Sequence, residues 1–68
     1  MEEKKRLTVV IDHWIEHNQS HMSEYKKWAE KASTLNLGRV QTEIEEAIGE
    51  LSLVNHHLEN AMKALTAP

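Results

Sequence analysis

The four residues Leu35-Asn36-Leu37-Gly38 are the one place in the chain where helical patterning stops. Asn and Gly are the two residues that best tolerate the left-handed backbone found at helix ends, and here they alternate with two leucines. On the N-terminal side no Pro or Gly occurs over residues 1–37. There Leu7, Ile11, Trp14, Asn18, Met22, Tyr25, Ala29, Ala32 and Leu35 recur every three or four residues, the spacing of one helical face, with Ile15 and Trp28 widening it. This pattern predicts a helix over about 3–34. Asn18-Gln19-Ser20-His21-Met22-Ser23 has poor helix propensity, but the stripe passes through it without losing phase.

On the C-terminal side a second stripe runs through Val40, Ile44, Ala47, Leu51, Val54, Leu58, Ala61 and Leu65, with Ile48 and Met62 along one edge. It predicts a helix over about 39–65, stopped by Thr66-Ala67-Pro68. Glu43, Glu45, Glu46 and Glu50 are read as acidic residues near its start, complementing the helix dipole. Two long helices joined by a four-residue link at 35–38 make an all-α antiparallel hairpin. A hairpin has one seam and two open flanks, so the chain is expected to form a homodimeric four-helix bundle. Ile15, Met22, Ala29, Ile44, Ile48 and Met62 are read as the flank that the second copy covers.

Composition narrows the function classes. The chain has 68 residues, eight Lys plus Arg against eleven Asp plus Glu, five His and no Cys. A single domain of this size buries a small core and is commonly reinforced by a disulfide, a metal or self-association. Without cysteine the first is excluded, together with thiolate metal sites and thiol catalysis. The net charge of −3, with no basic run longer than Lys4-Lys5-Arg6, argues against nucleic acid as a partner. No segment approaches the roughly 20 apolar residues of a membrane span, and no signal-like start is seen, so a cytoplasmic protein without membrane attachment is expected. No nucleophile, oriented base and oxyanion donors come together in the sequence, so the chain is not expected to be an enzyme.

If the chain folds back at the link, Asn18 stands level with Asn55. Each interrupts its own apolar stripe, which suggests an amide pair inside the seam that sets register and oligomeric state at some cost in stability. Trp14 and Trp28, at helical spacing, read as core or interface anchors. His13, His17 and His21 are spaced i, i+4, i+8, and two imidazoles at i, i+4 can chelate one ion. The rise from His13 to His21 is about 12 Å, too far for all three to share one ion. A helical projection puts His17 and His21 on the same flank as His57 and Glu50, with Glu24 close by and His13 further out. A patch of imidazoles and carboxylates without sulfur suits Zn²⁺, Ni²⁺ or Co²⁺. Binding needs neutral imidazoles, so affinity is expected to fall as pH drops through about 6.5, the ordinary histidine value. The competing reading is a structural hairpin that docks a second copy or another helical protein, with the histidines as plain surface residues.

His13-Trp14-Ile15-Glu16-His17-Asn18-x-x-His21, followed by Glu24-Tyr25-x-x-Trp28-Ala29, resembles a functionally uncharacterised family of very short two-helix proteins or modules. Its members share an H-W-x-x-H-N-x-x-H segment and end in an acidic, Leu/Ala-rich helix. The resemblance implies that this segment is a site or an interface. It assigns no role to any single residue.

Overall fold

The computed structural model describes residues 2–67. Met1 and Pro68, the latter read above as part of the second helix's stop, lie outside them. Helix α1 spans Glu2–Thr34 and helix α2 spans Gly38–Thr66, packed side by side as an antiparallel hairpin, with no strand among the described residues. A 33-residue helix is about 50 Å long at 1.5 Å per residue, and the molecule measures 52 × 16 × 11 Å, so α1 runs its full length and the 29-residue α2 about 44 Å of it.

Asn36 is the residue that takes the left-handed conformation, with φ 59°. Leu37 N–H donates to the Ala32 carbonyl at 2.9 Å and Asn36 N–H to the Ser33 carbonyl at 3.1 Å. This pair of bonds is the Schellman closure, which satisfies two of the carbonyls a helix end leaves free. With Asn36 making the turn, Gly38 is not needed there: its φ is not positive, and it opens α2. The expectation of a dipole-complementing acidic first turn is also corrected. No acidic residue lies in the first turn of α2, because Glu43 falls beyond it.

The seam has a strict seven-residue repeat. Labelling Thr8 and Gln41 as position a, the a and d residues of α1 are Thr8, Ile11, Ile15, Asn18, Met22, Tyr25, Ala29 and Ala32. Those of α2 are Gln41, Ile44, Ile48, Leu51, Asn55, Leu58, Met62 and Leu65. Among the described residues every side chain that is not exposed sits at one of these positions, with His21 the one exception. Side chains at a and d interlock in an antiparallel helix pair because a 3.5-residue spacing keeps one seam facing the partner helix.

This seam corrects the expected dimer flank. Ile15, Met22, Ala29, Ile44, Ile48 and Met62 are buried or half-buried between the two helices of one chain. Leu7, Trp14, Trp28 and Leu35 of α1 and Val40 and Val54 of α2, which the mixed spacing of threes and fours had placed on the two stripes or at their edge, are instead exposed, as are Val9 and Val10.

Gly49 is at a b position in mid-helix, and a Cβ there would meet nothing within 4 Å. Gly49→Ala is therefore expected to stabilise the hairpin by about 0.5–1 kcal/mol through helix propensity and a less flexible unfolded chain. Urea denaturation followed by circular dichroism would measure it.

Candidate functional site

Asn18 Nδ2 donates to Asn55 Oδ1 at 2.9 Å, and Asn55 Nδ2 donates to the Ile15 carbonyl at 3.1 Å. Asn55 is 5% exposed, the one buried polar side chain among the described residues. Folding back at Asn36 sets these two amides level in the middle of the seam. A one-heptad slip would set Asn18 against Ile48 or Met62 and Asn55 against Ile11 or Tyr25, with the amide pair broken.

The g positions flank this seam on one side. In an antiparallel pair the g rows of both helices border the same flank, and the e rows border the other. The g row of α1 is Leu7, Trp14, His21, Trp28 and Leu35, and that of α2 is Val40, Ala47, Val54 and Ala61. Eight of these nine are apolar, and Trp14 and Trp28 stand 47% and 61% exposed. Tyr25, Trp28, Ile44 and Ala47 line a hollow on this flank. The e rows are polar instead: Lys5, Asp12, Gln19, Lys26 and Ser33 on α1, and Glu45, Ser52 and Glu59 on α2. One flank of the hairpin is thus apolar along its length and the other is built for water.

His21 is the polar centre of the apolar flank. Its Nε2 lies 3.0 Å from Nε2 of His17, and the two rings have centroids 4.5 Å apart. In the absence of an ion one ring N–H would donate to the other's lone pair. Two nitrogens bound to one tetrahedral ion at the usual Zn–N length stand about 3.3 Å apart, close to this separation. The rings of His21 and Tyr25 have centroids 6.0 Å apart, and His21 is half-buried.

The remaining histidines and carboxylates do not join the pair. His13 is next along the helix, 5.9 Å from His17 between centroids. His57 packs edge-on against its neighbour His56 at 6.1 Å. Glu24 borders a hollow with Lys27, Trp28 and Lys31, and Glu50 is exposed. Among the described residues no three His, Asp or Glu side chains gather closely enough to hold an ion. The expected convergence of His17, His21, His57, Glu24 and Glu50 within one chain is corrected on that point. The reason is angular. His17, Glu24, Glu50 and His57 all occupy c positions, outside the g rows, so the full width of the apolar flank separates those of α1 from those of α2.

Sequence reasoning missed the g rows as a unit. Their sign is visible in the chain as two seven-residue series, Leu7-Trp14-His21-Trp28-Leu35 and Val40-Ala47-Val54-Ala61. A search for spacings of three or four merges them with the seam.

Among the described residues no helix is long and apolar enough to cross a membrane. No curated protein and no solved structure matches the chain. A family model covers residues 7–65, the link and most of both helices, and on that match the protein belongs to the family described as "Domain of unknown function (DUF8180)".

Proposed function

We propose that this hairpin is a helical association module, made to be covered along its g flank by a second helical surface. The observation that carries this reading is the division between flanks. The a and d positions are consumed by the internal seam, yet the g rows remain apolar on both helices while the e rows are polar. Contiguous apolar surface of this extent on a small chain marks an interaction site. In this reading the protein binds rather than catalyses, in keeping with a rod of two helices that offers long faces and little concavity. Sedimentation equilibrium at micromolar concentration is the test. A stable associated species supports the module, and a fully helical monomer across the whole range overturns it.

Metal binding is the second reading, favoured by the 3.0 Å approach of the His17 and His21 Nε2 atoms. Two imidazoles alone make an incomplete ligand set, since protein zinc sites with an open position ordinarily use three protein ligands. Any tight site built on this pair needs a ligand from elsewhere.

A further inference from the structure

We infer that two copies of the chain close the g flank against each other in antiparallel fashion about a two-fold axis beside His21, and that each His17–His21 pair then takes Glu24 of the second copy as its third ligand for a divalent transition-metal ion. The inference rests on the association reading above and adds the occupant, the axis and the ligand.

The occupant follows from the order of side chains in the g rows. Leu7, Trp14, His21, Trp28 and Leu35 read the same in both directions, so an antiparallel α1–α1 contact centred on His21 sets Trp14 against Trp28 of the second copy, Leu7 against Leu35, and His21 against itself. A two-fold interface requires this self-complementarity. The α2 row agrees with it. Val40, Ala47, Val54 and Ala61 are centred between residues 50 and 51, and the Asn18–Asn55 bond sets residue 52 level with His21. The two centres therefore coincide to within about 2 Å along the helix axis. An axis midway between the two centres serves both rows, setting Ala47 against Val54 and Val40 against Ala61 to within about 2 Å along the helix, with small α2 residues beside the tryptophans of α1. The face is on the right scale: its outline of 52 × 16 Å encloses about 800 Å², comparable to the surface each partner of a standard stable interface buries.

The ligand follows from the same axis. With the two-fold beside His21, residue 24 of the second copy stands level with residue 18 of the first, between His17 and His21. Glu24 and His17 both occupy c positions on the edge of the flank that the second copy meets. A carboxylate thus arrives where one chain holds two converging imidazole nitrogens and no third donor. Two histidines and one glutamate, with water in the fourth position, suit Zn²⁺ or Ni²⁺. The dimer carries two such sites, related by the axis.

The test is calorimetric titration of the full chain with Zn²⁺ and, separately, Ni²⁺. The expected result is one ion per chain. The double variant His17→Ala/His21→Ala and the single variant Glu24→Gln should each lose tenfold or more in affinity, and His56→Ala should not. The two defective chains, unfolded and refolded together in equal amounts, should recover about a quarter of the wild-type capacity, because half of the random dimers then hold one intact site. Trp28→Glu, which keeps the histidine pair but blocks association, should lose tight binding. The inference is overturned if Glu24→Gln binds like the wild type, if refolding together recovers nothing, or if Trp28→Glu binds undiminished as a monomer. A wild-type dimer that binds neither ion would overturn the metal site and leave the association module standing; a wild-type monomer would overturn both.

Discussion

Truncating Trp28 to alanine is expected to raise the dissociation constant of the proposed g-flank dimer about a thousandfold. In a two-fold interface each substitution is made twice. A tryptophan that is 61% exposed in the free hairpin and covered in the dimer contributes about 2 kcal/mol through apolar burial. Two copies then amount to about 4 kcal/mol, roughly three powers of ten in affinity. Trp14→Ala should weaken association by a similar factor, since the proposed axis sets Trp14 against Trp28 of the second copy. Leu53→Ala is the control: Leu53 is 52% exposed, nearly as open as Trp28, but it lies at an f position facing away from the g flank. Sedimentation equilibrium over a wide concentration range would give all three constants. An equal effect of Leu53→Ala and Trp28→Ala would show that exposure, and not membership of the g row, governs association.

The second large effect concerns the amide layer. Asn55→Leu alone should destabilise the hairpin by about 1–3 kcal/mol relative to the double variant Asn18→Leu/Asn55→Leu. It leaves the Asn18 amide in a half-buried layer without the bond it now makes at 2.9 Å. The double variant should exceed the wild type in stability, because an apolar layer replaces two amides that must be withdrawn from water. It should also lose uniqueness, populating shifted registers or other oligomers that the Asn18–Asn55 bond disfavours. Urea denaturation of the wild type, both single variants and the double variant completes the cycle. A double variant that is less stable than the wild type and still forms a single species would reject this role for the pair.

Much of the fold was legible in the chain because both helices are long, periodic and free of internal breakers. The helix ends at 34 and 66 lie within a residue of their expected positions, and the link came out one residue shorter because Asn36 alone makes the left-handed turn. The facing of Asn18 and Asn55 was legible for the same reason: in a hairpin of straight helices the link determines which residues share a level. The angular phase of the seam was not. Leu7, Trp14 and Trp28 lie one step around the helix from Thr8, Ile15 and Ala29, and large side chains dominate an apolar stripe although the small ones here pack closest. Taking Trp14 and Trp28 into the seam displaced Ile15, Met22, Ile44 and Ile48 to an imagined outer flank. With the seam in its observed phase, the tryptophans and the His17–His21 pair share one face. The carboxylate and imidazole groups of α2 were expected beside that pair, but c positions on the two helices of one hairpin point away from each other. In the proposed dimer the second copy brings an α1 carboxylate across.

Inter-chain distances between nitroxide labels on single cysteines test this arrangement most directly, and the chain has no cysteine of its own to interfere. Ser20 and Thr34 both lie at f positions, outside the seam and the g row, so labels there leave the interface intact. With the two-fold axis beside His21, the Ser20 labels are offset along the helix by only about 3 Å and the Thr34 labels by about 39 Å. Electron–electron dipolar spectroscopy should therefore find the Thr34 pair much farther apart than the Ser20 pair. Equal distances at the two positions would mean that the copies run parallel about an axis along the bundle, and the antiparallel closure about His21 would be contradicted.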